Sequence, residues 1–165
     1  MKEELKESLN ALQIASWRKA FLTTPALQTQ VHQTLVAKLS IDLEATIAES
    51  AVALHPEQLV RLSSDKRSVE MSDRGGTVAT CYINAANLGA IHLQFAGRGG
   101  SELTDSLRLD CIGEEAYVWT IGSLSIPSAD LAAYVLHRLA REATSVVQRE
   151  TPGTRRSGID LGRIV

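Results

Sequence analysis

The hydrophobic period of this chain changes near Ser63. Before it, apolar residues recur every three or four positions; from residue 68 to 121 they alternate with polar ones in short segments separated by turn residues. A helical period cannot persist through such a stretch, so helices must give way to a sheet. After Ser128 the helical period returns. Helices, strands and a final helix in that order predict an α+β fold, with helices packed on one face of an antiparallel sheet.

The first part, residues 1–62, reads as helical. Leu5, Leu9, Leu12, Ser16 and Ala20 follow a three-and-four spacing over residues 2–22, widened by Ile14, Trp17 and Phe21. Thr24-Pro25 starts a second helix, with Thr as N-cap and Pro at the first helical position. Leu27, Val31, Leu35 and Leu39 line one face of it. Ser40 and Asp42 suit the cap of a third helix, yet nothing forbids one helix from Pro25 to Leu54. His55-Pro56 stops either version, because the residue before Pro avoids the α region. One further short turn is expected between Pro56 and Leu62.

Residues 63–150 form the sheet and the C-terminal helix. Turns at 73–76, 85–89, 97–101 and 113–115 divide a meander of about five strands. The strand holding Val69 and Met71 fits only if the turn after it carries a bulge. The last helix starts at Ser128 and buries Leu131, Val135, Leu139, Ala143 and Val146, and Thr151-Pro152-Gly153 ends it. Residues 151–165 are expected to be a flexible tail whose aliphatic end, Ile159, Leu161, Ile164 and Val165, docks on the parent fold or on a partner's sheet edge.

Centring each loop estimates the strand register. The turn at 85–89 sets Tyr82 opposite His92 and Thr80 opposite Gln94. A loop at 97–105 sets His92 opposite Asp110 and Gln94 opposite Arg108. The turn at 112–116 sets Asp110 opposite Val118 and Arg108 opposite Thr120. The three agree on facing. One side collects Ala79, Cys81, Ile83, Ile91, Leu93, Phe95, Leu107, Leu109, Cys111, Tyr117, Trp119 and Ile121; a slip of one residue would mix the two faces. The polar face then carries a row of Asp110, His92 and Tyr82, with Arg108, Gln94 and Thr80 beside it. A carboxylate next to His raises its pKa and orients its ring toward a ligand or toward Tyr82.

Composition removes several function classes. Cys81 and Cys111 are the two cysteines, without CxxC spacing or a nearby His cluster, so neither a disulfide framework nor a zinc site is expected, and no metal or cofactor is implied. A formal net charge of −2 counts against non-specific nucleic-acid binding. The Arg-Gly-Gly segments at Arg74 and Arg98 run from strand to strand, unlike phosphate loops, and Arg155-Arg156 lies in the tail. His32 and His137 read as surface or boundary residues of helices. No apolar run is long enough for a membrane span and no signal core is present, so a prokaryotic cytoplasm is the expected setting. No nucleophile or metalloprotease motif occurs.

The leading expectation is therefore a small protein-interaction module, of adaptor, chaperone, toxin-neutralising or regulatory type, rather than an enzyme. It would bind a protein partner or itself, as a homodimer using Trp17, Phe21, Leu27, Val31 and Leu35. One alternative is a small-ligand module or enzyme using Asp110, His92, Tyr82 and Arg108. A second is nucleic-acid binding through the Arg-rich loops and tail.

Overall fold

A computed structural model describes residues 1–50 and 58–157 of the chain, with side chains through Val146. Two helices, α1 (Lys2–Thr23) and α2 (Pro25–Ser50), precede the sheet. The strands are β1 (Leu59–Leu62), β2 (Ser68–Asp73), β3 (Gly76–Asn84), β4 (Ala90–Gly97), β5 (Glu102–Gly113), β6 (Ala116–Ile121) and β7 (Leu124–Pro127). A single 3-10 turn, Ser128–Asp130, leads into α3 (Leu131–Ser157). The seven strands form one antiparallel sheet in sequence order.

The expected α+β architecture holds, with two strands more than anticipated. β1 and β7 have four residues each and lie at the sheet's edges. Segments that short carry little alternation, and the exposed residues of an edge strand dilute it further. β1 also replaces helical turn in the stretch to residue 62. The bulge required after Met71 is present, as a register shift between Met71 and Ser72.

α2 is one helix over its described length. Asp42 does not cap a new start: its carboxylate takes Lys38 Nζ at 2.7 Å, and its carbonyl accepts the Thr46 hydroxyl. His55-Pro56 lies outside the described residues, as does the aliphatic end of the tail. α3 continues past Thr151-Pro152-Gly153 to Ser157. A proline inside a helix removes one hydrogen bond and bends the axis, which weakens a helix without always ending it. Ser128 sits within the 3-10 turn rather than at the α3 cap.

The corner between α1 and α2 is closed by Gln28. Its side-chain amide donates to the carbonyls of Phe21 and Leu22, both at 2.9 Å. These are carbonyls that the end of α1 leaves without helical partners.

The core fills the apolar face of the sheet. Val69, Cys81, Ile91, Leu93, Phe95, Leu107 and Trp119 are buried there, under Leu131, Val135, Leu139, Ala143 and Val146 of α3 and Leu39 and Leu43 of α2. The facing derived from the alternation is thus observed, with α3 lying across β3 and β4. Its C-terminal part comes close enough to β4 that Gly97 is needed there. A Cβ on Gly97 would stand 2.7 Å from Ser101 Oγ and 2.8 Å from Val146 Cγ2.

Candidate functional site

The polar face keeps its residues but not the expected rows. Tyr82 pairs with Gln94, and Thr80 with Ala96. His92 lies between Asn84 and Ser106, and Gln94 faces Thr104. Only the β5–β6 register stands as derived, with Asp110 opposite Val118 and Arg108 opposite Thr120. The expected loop at 97–105 is much shorter: Gly97 N–H donates to Ser101 C=O and β5 begins at Glu102. His92 therefore slides four positions along β5, from Asp110 to Ser106. Tyr82 shifts by two along β4. Both displacements are even, so each side chain stays on its face while its neighbour changes.

The Asp110–His92–Tyr82 constellation does not assemble. Four residues of strand, about 13 Å, separate Asp110 from the residue opposite His92. His92 Nδ1 meets Ser106 Oγ at 2.9 Å instead. Gln94 donates to Glu102 Oε1 at 2.7 Å. Arg108 is exposed and Tyr82 is half-exposed. These are ordinary cross-strand pairs of a solvated face, worth a few tenths of a kcal/mol each.

Asp110 has a different partner, which the sequence did not suggest. Arg18 Nε of α1 donates to its Oδ1 at 3.0 Å, and Cys111 N–H donates to the same oxygen at 2.9 Å. Three residues on, Phe21 is buried with its ring 5.6 Å from that of Tyr117. Asp110 belongs to the polar face and Tyr117 to the apolar one. The last turns of α1 thus straddle the end of the β5–β6 hairpin.

The proposed interface stripe is largely consumed by this packing. Phe21 and Val31 are buried in the chain's own core, and Leu27 and Leu35 pack against it; Trp17 alone of the five is exposed. The free apolar surface lies elsewhere. Every residue from 1 to 13 is exposed, with Leu5, Leu9 and Leu12 at 60%, 57% and 69%. At 3.6 residues per turn these leucines project from the side of α1 opposite Ile14 and Phe21. α1 thus carries two apolar stripes; one anchors the helix and the other is uncovered.

Two polar residues that the sequence reading places in a loop and at a helix boundary are buried. Asp105 falls on the apolar side of β5, where Tyr134 Oη donates to Oδ2 at 2.7 Å and Arg138 donates from Nε at 2.9 Å and Nη2 at 3.2 Å. Burial alone would push this carboxyl up, but the guanidinium and the phenol hold it below the usual carboxylate range. Arg138 also lies over the Phe95 ring, 5.2 Å from its centroid. The signal is present, since Asp105 shares odd parity with Leu107 and Leu109, but the polar run around it reads as loop.

His32, read as a boundary residue, is buried. Its Nε2–H donates to Ala85 C=O at 2.8 Å and its Nδ1 accepts Gly89 N–H at 3.2 Å. That pattern fixes the neutral tautomer and ties α2 to the β3–β4 turn.

Arg98 is occupied structurally, with Nη2 2.7 Å from Asp73 Oδ1 and Nε donating to Thr77 C=O. Among the described residues no three His, Cys, Asp or Glu side chains converge to hold a metal ion, and no helix is long and apolar enough to cross a membrane. No family model, curated protein or solved structure matches this chain.

Proposed function

We propose that the protein is an interaction module whose docking element is the free half of α1. Its partner is a segment of another protein that presents an apolar stripe flanked by carboxylates. The observation carrying this reading is the uncovered stripe of Leu5, Leu9 and Leu12 on a helix held at its other end. Their four-and-three spacing is that of a narrow seam, suited to one facing helix. On the helical wheel Lys2 and Lys6 border the seam on one side and Glu4 lies toward the other, while Glu3 and Glu7 lie behind it.

The lysine border selects the partner. Acidic flanks on the partner would be complementary to this lysine edge. An anionic membrane surface suits the seam less well. Residues 1–13 carry two Lys against three Glu, a formal side-chain charge of 2 − 3 = −1, and the apolar stripe is narrow. The sheet edges offer little alternative, since both edge strands are short and β7 ends in Pro127. Each leucine is already partly covered by its helix, so burying all three recovers about 3–5 kcal/mol. The partner must supply its own apolar anchors, and the complex should be of micromolar strength.

The test uses two labelled helical peptides with the same leucine seam, one flanked by Glu and one by Lys. Fluorescence anisotropy should show saturable binding of the Glu peptide only. A Leu5→Ser, Leu9→Ser, Leu12→Ser variant should lose it while melting like the wild type. Equal binding of both peptides, or binding that survives in the variant, overturns the reading. So does seam-dependent dimerisation in sedimentation equilibrium, or seam-dependent co-sedimentation with phosphatidylserine vesicles.

A further inference from the structure

A cavity of about 600 Å³ opens between α2, the β1–β2 turn and the end of β3. That is within the usual size range of small-molecule sites. Val36 and Ile83 form its apolar wall; Ser40, Asp65, Arg67 and Asn84 supply its polar groups.

Arg67 stands out among them. Its carbonyl accepts Ile83 N–H at 2.7 Å, which extends the β2–β3 ladder by one pair beyond Ser68 and Tyr82. By that register Arg67 continues the row of Val69, at the open end of the apolar side, where it is exposed. Arg138, over the same side, is neutralised by Asp105. The Arg67 guanidinium makes no hydrogen bond or ion pair with any described residue, although the Asp65 carboxylate at the rim lies within its electrostatic reach. Lys66, its neighbour in the turn, is paired with Glu44.

The other polar groups point to the same chemistry. Asn84 Oδ1 accepts Ala86 N–H at 3.1 Å, so its amide NH2 remains as a donor. Asp65 Oδ1 is spent inside the turn, on the Ser63 hydroxyl at 2.6 Å and Arg67 N–H at 3.0 Å. Its negative charge remains at the rim. A dianionic phosphate would feel that charge twice over, whereas a carboxylate carries a single charge and matches the planar fork of Arg geometrically. The floor is held in place by His32, which grips Ala85 and Gly89 from α2.

We propose that this cavity binds a small aliphatic carboxylic acid, its carboxylate on Arg67 and its chain against Val36 and Ile83. The site is separate from the α1 seam, and neither proposal depends on the other.

Titration of 15N-labelled full-length protein with hexanoate, hexylammonium and inorganic phosphate tests this. Hexanoate should give saturable amide shifts centred on Arg67 and on residues 83–86; hexylammonium and phosphate should not. Arg67→Gln should weaken hexanoate by about tenfold or more, the usual worth of a charge-assisted hydrogen bond. Arg61→Gln, on the neighbouring edge strand, should leave it unchanged. Val36→Trp, which fills the cavity, should abolish the shifts even with Arg67 intact. Absence of saturable shifts with hexanoate, equal binding of hexylammonium, shifts centred elsewhere, or an unaltered affinity in Arg67→Gln would each overturn the assignment.

Discussion

Asp105 and Arg138 meet beneath α3, carboxylate to guanidinium at 2.9 Å, on the apolar side of the sheet. A charge pair in that position is costly to desolvate and still more costly to break. Asp105→Ala leaves the half-buried Arg138 over Phe95 without a counterion and should cost about 3 kcal/mol, the lower end for a broken buried pair. Replacing both, as Asp105→Leu with Arg138→Met, should cost less than the single change. Urea unfolding of the three variants measures the difference.

The same pair sets an acid limit on stability. The folded pKa of Asp105 is depressed, chiefly by the hydrogen bonds from Arg138 and Tyr134 acting against burial. Its contribution is therefore fully present above the unfolded carboxylate value of about 4 and is lost as pH falls through that value toward the folded one. Thermal melts of Asp105→Asn should show a shallower loss between pH 5 and pH 2, as rough bounds, than the wild type. Parallel curves would assign the acid sensitivity to other carboxylates.

Gly97 reports how closely α3 approaches the sheet. An added Cβ would meet Val146 Cγ2 at 2.8 Å and Ser101 Oγ at 2.7 Å, whereas one on Gly99 meets nothing within 4 Å. Gly97→Ala should cost about 1–3 kcal/mol through overpacking. Gly99→Ala should change stability by less than about 0.5 kcal/mol. Denaturant midpoints at constant m-value separate the two.

Parity was the legible part of this fold. Leu93, Phe95, Leu107 and Leu109 sort to one face whatever the loop lengths, because any even slip preserves facing. Pairing was not legible. The polar run Glu102-Leu103-Thr104-Asp105 looks like loop, yet it opens β5, and that moved His92 from Asp110 to Ser106. The coverage of α1 was also hidden. Its Leu5–Leu9–Leu12 stripe and its Ile14–Trp17–Phe21 stripe are equally apolar, and spacing alone does not say which one meets the sheet. His32 carries no local signal, since its role comes from contacts with the β3–β4 turn.

Cys81 should be inert in the native state. Burial first, and then the Asp105 charge, push its thiol up to about 12, against a smaller opposing effect of Arg138. Thiolate is the reactive form, so labelling at neutral pH must wait for opening of the sheet. Labelling by a disulfide reagent should be slow in buffer and fast in urea, at a native rate that follows global stability. A rate independent of stability would place Cys81 in a locally opening segment.

His32 bridges two backbone groups that have no substitute. His32→Ala strands Ala85 C=O and Gly89 N–H and removes the edge contact with Trp119, whose ring centroid is 6.3 Å away. Each orphaned group costs about 1–3 kcal/mol if it stays dry. Amide exchange should accelerate first at Gly89, then at β3 and β4. Unchanged protection at Gly89 would mean that water replaces the imidazole without cost.

The anchor of α1 divides unequally between its two contacts. The Arg18–Asp110 bond involves an Arg side chain that is 56% exposed, so Arg18→Ala should cost at most about 1 kcal/mol. Phe21 is buried against Tyr117, and Phe21→Ala should cost about 3–5 kcal/mol, the penalty of a core aromatic. The helix itself should respond differently to each change. Without Phe21 the Gln28 bonds to the end of α1 lose their support, and trypsin should cut at Lys19 or Arg18 while the sheet remains folded. Without Arg18 the cut should stay slow. Fast cleavage without Arg18 and slow cleavage without Phe21 would show that the polar contact, and not the aromatic one, holds α1 on the hairpin.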